Sequence, residues 1–261
     1  MKIMDRLLFH FLCVAAIVFA AQPAQAQYRT NVMVGVYEYS VIHFYQDGAQ
    51  AGFAHDLLDR LNRVQDNFKF VAVETSSRRR YQDLAAGNVD MILLENPNWN
   101  WSGRAVGFSK PIVHESDLLV ARRENVYGPR YFQDILEYSL AGVLGFHYRL
   151  VNFVDDPQEL ERILNISLLY NEEEVLEAVI RKDADVGILS AGFMSQKFRQ
   201  VRDMGEKIAI GPQAENSYPL VAVISHNAPI TVAHFDGYLD DLRAENQIAP
   251  LWSRWHRGIL P

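Results

Sequence analysis

Residues 52–73, GFAHDLLDRLNRVQDNFKFVAV, carry the reading on which the fold turns. Phe53, Leu57, Leu58, Leu61 and Val64 recur at helical spacing, and Phe68 to Val73 then alternates as a strand. Upstream, Asn31 to Tyr37 (NVMVGVY) is a β-branched run containing Gly35, a buried strand by composition, with a turn at Asp47-Gly48 before the helix. Downstream, Ser77 to Ala86 reads as a helix stopped by Gly87, and Val89 to Leu94 (VDMILL) as a further buried strand. Strand, helix, strand, helix, strand describes a parallel sheet with crossover helices.

A second series of the same kind begins beyond Ala121. Leu140 to Leu144 is a strand, a helix is expected from Tyr148 onward, and Ile166 to Tyr170 is a strand. Glu172 to Arg181 is a helix with acidic residues in its first turn, Asp185 to Leu189 a strand, and Met194 to Val201 a helix. The chain returns through Tyr218 to Ile224 into a helical stretch over 230–254. Two α/β series with a C-terminal remainder predict two lobes, 27–120 with 222–261 and 121–221, joined by crossings near Leu118–Arg123 and Tyr218–Ser225.

The first 26 residues stand apart. Lys2 and Arg6 precede an apolar run from Leu7 to Ala21, and Pro23-Ala24-Gln25-Ala26 offers a small-x-small site, the grammar of a cleaved secretory signal. Cys13, the single cysteine, leaves with it, so the exported chain has no disulfide to form. The remainder holds 23 basic against 31 acidic residues. That balance gives no basic face for phosphates and argues against nucleic-acid binding. No other segment reaches the ~18 consecutive apolar residues of a spanning helix, and a periplasmic location is expected.

An ordered set of segments resembles the family 3 extracellular solute-binding proteins, the polar-amino-acid type of periplasmic binding protein. They are Val34-Gly35-Val36, Asp47-Gly48, Gly52-Phe53-Ala54-His55-Asp56-Leu57-Leu58, Leu84-Ala85-Ala86-Gly87-Asn88-Val89-Asp90-Met91-Ile92, Phe108-Ser109-Lys110-Pro111, Gly142-Val143-Leu144-Gly145 and Ala184-Asp185-Val186-Gly187-Ile188. The resemblance implies an α/β chain with the type II periplasmic-binding-protein fold: two doubly wound lobes on a two-segment hinge that close on a small polar solute. It further implies delivery to an ABC permease or a membrane sensor, and a monomer. Ligands of open α/β sheets do sit outside the carboxyl ends of the strands, near helix N-termini.

Candidate contacts follow from residue chemistry and from the resemblance together. Ser77, Arg78 and Arg79 open the second helix, where a guanidinium fork and free backbone N–H groups suit a carboxylate; the alternative is a solvated basic face. The resemblance implies an arginine shortly before Phe-Ser-x-Pro, and Arg104 stands there, about two residues closer than expected. Glu95, Trp99 and Trp101 replace the small, glycine-containing stretch the resemblance implies after the strand ending at Leu94. They either hold a ligand cation by charge and ring faces or cap the core while Glu95 faces water. Tyr37 and Tyr39 are expected on an aromatic wall. Phe146 and His147 occupy a second-lobe turn where a hydroxyl residue is implied, and Ser190 stands where an amino-group aspartate is implied.

Other chemistry is weakly supported. Ser190 lies in Ile188-Leu189-Ser190-Ala191-Gly192, one glycine short of a nucleophile elbow, and the histidines form no i, i+4 pair or other metal-ligand spacing. No cofactor and no metal are expected. The rival reading is an enzyme resembling the cyclohexadienyl dehydratases, with Glu95 or His147 as acid or base.

Overall fold

The computed structural model describes residues 28–257, so the signal-peptide reading and Cys13 lie outside the described residues. The chain runs through β1 (Thr30–Val36), a hairpin of β2 (Phe44–Gln46) and β3 (Ala49–Ala51), α1 (Phe53–Val64), β4 (Phe68–Glu74), α2 (Arg80–Ala86), β5 (Met91–Glu95) and β6 (Val106–Phe108). A long strand, β7 (Val113–Arg122), leads into β8 (Leu140–Val143), α3 (Pro157–Ile163), β9 (Ile166–Leu169), α4 (Glu172–Arg181), β10 (Val186–Ser190), α5 (Ala191–Gln200) and α6 (Met204–Lys207). The longest strand, β11 (Ile208–Ser225), returns to α7 (Val232–Ala244) and α8 (Ile248–Trp255).

The strands form one path, β4-β1-β5-β11-β7-β10-β8-β9, with β6 added to β11. β1 is parallel to β4 and β5, and β8 is parallel to β9 and β10, as crossover helices require. β11 belongs to both sheets: Val221 to Ile224 pair with β5, while Ile208 to Leu220 pair antiparallel with β7. One apolar cluster joins Val32 to Val113 with Tyr218 to Leu251, and two others lie within Leu118 to Ile208. The fold is therefore the two-lobed α/β architecture expected.

Local chemistry accounts for the element boundaries. Asn171 and Ser190 accept from Glu174 N and Phe193 N and so cap α4 and α5; Asp156 caps α3 ahead of Pro157, and Thr231 caps α7. Three expectations shift. The helix expected from Ser77 begins at Arg80, because Ser76 Oγ accepts from Arg79 N at 3.1 Å and holds 77–79 as a turn. Beyond Tyr148 there is only a 3₁₀ turn, ended by Asn152 and Phe153 at φ 53° and 64°, and the true helix waits for Pro157. The C-terminal stretch breaks into two helices at Asn246, where φ is 52°.

Gly52, at φ +125°, has no room for a side chain: a Cβ there would lie 2.2 Å from the Ile42 carbonyl oxygen. Gly237 in α7 meets nothing within 4 Å. Gly52→Ala is expected to cost at least about 2 kcal/mol, and Gly237→Ala to gain up to about 1 kcal/mol. Urea midpoints of the two variants check this; a Gly52→Ala midpoint at or above the parent's contradicts it.

Candidate functional site

The site begins where β5 ends. Leu94 has φ 64°, and the pairing of Val221 with Glu95 but Val223 with Ile92 places one extra residue on β5. This bulge turns Glu95 into the protein, where it is 0% exposed. Arg80, 1% exposed, brings Nε to 2.9 Å from Glu95 Oε1, off the hydrogen-bond line, and Trp101 Nε1 donates to Glu95 Oε2 at 2.9 Å. The guanidinium lies over the rings of Tyr37 and Tyr81 at 5.0 and 4.4 Å and donates through Nη2 to the Tyr81 hydroxyl at 2.7 Å. Burial works against this cation, yet Glu95 and the tyrosines more than offset it and hold the Arg80 pKa above its ordinary value. Its Nη1 is buried without a hydrogen-bond partner.

Arg80 faces a small cavity between the lobes. Its wall is Tyr37, Tyr39 and Trp99 from the first lobe, Gly145, Phe146 and His147 from the second, and Asp117 and Tyr218 from the two crossing strands. Tyr39 meets Phe146 edge-on at 5.3 Å, and Trp99 meets Tyr218 edge-on at 5.2 Å and stacks on His147 at 6.0 Å. The rings leave about 10 Å³, room for the centre of a single water. Trp99 Nε1 and His147 Nδ1 are also buried without partners. Burial lowers the His147 pKa, so its ring is neutral at pH 7, with Nε2 3.3 Å from both Asp155 Oδ2 and the Tyr81 hydroxyl.

The crossing strands carry buried carboxylates. Asp117 Oδ1 accepts from the Tyr218 hydroxyl at 2.9 Å, which itself lies 2.7 Å from the Tyr39 hydroxyl. Burial, then Glu215, push the Asp117 pKa well above the usual carboxylate range. Ser40, in the left-handed region at φ 53°, reaches across the lobes: its N–H donates to Glu172 Oε2 at 2.7 Å and its hydroxyl to Glu115 Oε2 at 2.9 Å. Glu172 also accepts from Ser190 N at 2.7 Å, and burial pushes its pKa up to about 7. A wider groove of about 300 Å³ lies beside Ser40, where Phe44, Tyr45 and Phe193 alternate with the charged Glu38, Glu172, Glu173 and Lys197.

Of the residues singled out in the sequence, Tyr37, Tyr39, Trp99, Phe146 and His147 line the cavity together. Ser77 and Arg78 sit at its rim: Ser77 Oγ donates to the Leu144 carbonyl at 2.9 Å, and a Cβ on Gly145 would lie 2.8 Å from Arg78 Cγ. The others are elsewhere. Arg79 is exposed beside Asp83. Arg104 is exposed and stacks on Tyr81 at 4.6 Å, away from the cavity lining. Glu95 neither contacts the cavity nor faces water, being held by Arg80 and Trp101, and Trp101 is core. Ser190 is occupied as a helix cap. The sequence reading missed Arg80, Asp117 and Tyr218. Arg80 was accessible from helical phase, since it lies one turn before buried Leu84; Asp117 and Tyr218 stand at the edges of the two expected crossings, but nothing in the sequence says which side chains of a crossing face the cavity.

The sequence profile of the bacterial extracellular solute-binding proteins, family 3, matches residues 32–258. Among solved structures, the chain is similar to an ancestral amino-acid-binding protein described as a precursor of cyclohexadienyl dehydratase, with TM-score 0.67 and 18% identity over 87% of this chain and 95% of that one. It is similar to a binding component of an ABC transporter from Wolinella succinogenes complexed with lysine, with TM-score 0.68 and 18% identity over 88% and 97%. An ABC uptake transporter substrate-binding protein from Streptococcus pneumoniae with bound histidine gives TM-score 0.68 and 14% identity over 86% and 92%. No curated protein matches the chain in sequence.

Two measurements address the buried charges. Arg80→Met leaves Glu95 buried and uncompensated and is expected to cost about 3–5 kcal/mol, most of it recovered when Glu95→Met is added. Equal losses in single and double variants would contradict that. Glu172 has a folded-state pKa above its unfolded value, so its contribution is full below the unfolded pKa and is lost as pH rises through about 7. Glu172→Gln should therefore flatten part of the fall in melting temperature between pH 5 and 8; an unchanged slope excludes this role.

Proposed function

The chain belongs to the bacterial extracellular solute-binding proteins of family 3, and from that premise we propose that it is a periplasmic receptor that closes two lobes on a small amino-acid-like solute. The observation that carries the reading is the cavity between the lobes, walled by aromatic rings, at which Arg80 Nη1 and Trp99 Nε1 are buried and unpartnered. Buried donors of this kind cost free energy until an acceptor reaches them, and a carboxylate supplies one. Arg80 thus takes the anion-binding role that sequence reasoning gave to Arg78, Arg79 or Arg104. Asp117, in the cavity lining, takes the role of cation partner that sequence reasoning gave to Glu95, with Ser190 standing where an amino-group aspartate is implied. Neighbours with bound lysine and histidine support the solute class.

The lobes exchange between Val113 and Leu118 and between Ile208 and Tyr218, a reading supported by Val113 and Tyr218 packing in one apolar cluster and Leu118 and Ile208 in another. Hinge motion there opens the cavity to solvent. The receptor acts as a monomer and hands its solute to an ABC permease or a membrane sensor. A second reading, a dehydratase on the same framework, draws on the neutral His147 ring held by Asp155 beside the cavity and on the neighbour described as a dehydratase precursor.

Thermal melting against amino acids, amines and small carboxylates tests the reading. A solute at 100 times its dissociation constant adds about 2.7 kcal/mol to stability, and Trp99→Ala should abolish the shift. A panel in which nothing moves the transition defeats the receptor. Turnover of an added cyclohexadienyl acid, lost in His147→Gln, would replace it with the enzyme.

A further inference from the structure

A second pocket lies on the first lobe, and none of its lining residues borders the cleft cavity. Helix α2 contributes Tyr81, Leu84 and Ala85, the turn before β6 contributes Trp101 and Arg104, and the segment at the end of β11 completes it. Its volume is about 230 Å³, against about 10 Å³ for the cavity between the lobes. Bonds that need no occupant fix its walls. The Tyr81 hydroxyl donates to the Trp99 carbonyl at 2.9 Å, Trp101 Nε1 donates to buried Glu95 at 2.9 Å, and the two rings meet at 4.7 Å. His226 N donates to the Ala105 carbonyl at 3.0 Å and ties the strand end to the turn. The resulting surface is mostly apolar, and Arg104 carries the one charge among its lining residues. Two contacts position that guanidinium: Nε donates to the Asn100 carbonyl at 2.9 Å, and Cζ lies 4.6 Å from the centre of the Tyr81 ring. It forms no ion pair among the described residues, and its two terminal nitrogens bond to none of them. A positioned guanidinium fork beside an apolar wall fits a planar carboxylate whose hydrocarbon part is buried. A dianion finds no second cation in this lining, and an amine meets Arg104 as a like charge.

We propose that this outer pocket is a second small-molecule site, which takes a monocarboxylate with an aromatic or alicyclic body. The ring lies against Tyr81, Leu84, Trp101 and Val106, and the carboxylate sits on Arg104. The second lobe contributes no residue to it, so the site fills whether the lobes are open or closed and goes beyond the receptor reading of the cleft.

Calorimetric titration of the intact protein with 3-phenylpropionate tests the proposal, with 3-phenylpropanamide and 3-phenylpropylamine as neutral and cationic counterparts. The acid is expected to bind at least about tenfold more tightly than either, the margin of a charge-assisted fork over a neutral acceptor. Arg104→Gln should remove that margin. Ala85→Phe, which fills the pocket from an exposed position on α2, should abolish binding, and Ala105→Leu repeats the block from the turn. Trp99→Ala, in the cleft, should leave the affinity for the acid within about twofold, as expected of a site that shares no residue with it. Absence of binding, equal affinity for acid and amide, or binding that survives both blocking variants overturns the second site. Loss of binding in Trp99→Ala alone places the acid in the cleft and overturns it too. Each of these results leaves the receptor reading standing, since that reading is decided by the melting panel.

Discussion

The contact between Arg80 and Glu95 sets the terms for the rest of the molecule. Removing two opposite charges from water is costly, and their attraction restores that cost only when the remaining donors and acceptors are satisfied. Here the compensation is specific: Trp101 donates to one carboxylate oxygen, Tyr81 accepts from one guanidinium nitrogen, and Tyr37 and Tyr81 present ring faces to the cation. These partners come from β5, from the loop after it, from α2 and from the end of β1, so one ion pair, with Arg80 Nη1 still unpartnered, draws four segments together. The same pair matches the guanidinium at the cleft with a buried carboxylate.

Glu115 and Glu172 do mechanical work. Ser40 bridges Glu172 and Glu115 from a left-handed conformation that a residue with a Cβ adopts at some cost, and Gly192 makes room for it: a Cβ there would lie 2.4 Å from Ser40 Oγ. Gly145 plays the equivalent part at the opposite rim, against Ser77 and Arg78. Closure is thus permitted at two places where one lobe lacks a side chain. Glu115 and Asp117 share β7, which pairs with β11 along the run that passes from one sheet to the other.

Much of the fold was legible in the sequence because periodicity reports one-sided burial. The apolar spacing of Phe53 to Val64 and the runs at β1, β4, β5 and β10 each describe a face without reference to the partner it packs on. The site was legible only in part. Tyr37 and Tyr39 are legible as aromatic residues after a strand, Trp99 as a departure from the glycine-containing stretch the resemblance implies, and Phe146 and His147 from the turn where it implies a hydroxyl residue. Asp117 is not: a crossing is legible at the end of ESDLLVA, but nothing in the stretch tells that one of its acids turns inward. Glu95 was noticed but misassigned, because its partner is fifteen residues upstream, in a run of three arginines of which helical phase buries only the third. Ser190 was legible and misread: a serine preceding a helix is first of all a cap.

The smallness of the cavity bears on how such a receptor discriminates. With Tyr39 against Phe146 and Trp99 against His147, the closed lobes already satisfy one another's apolar surface without a solute. Empty closure is opposed by polar atoms instead: Arg80 Nη1, Trp99 Nε1 and His147 Nδ1 are sealed from water with no partner, at about 1–3 kcal/mol each. A solute that merely fills space must part the rings and gains little. One that supplies an acceptor to the two donors and a donor to the imidazole removes several penalties at once. The free-energy difference between open and closed forms is then governed by the solute's polar groups, which makes the aromatic wall a device for excluding water and leaves recognition to the few atoms the fold has left unsatisfied.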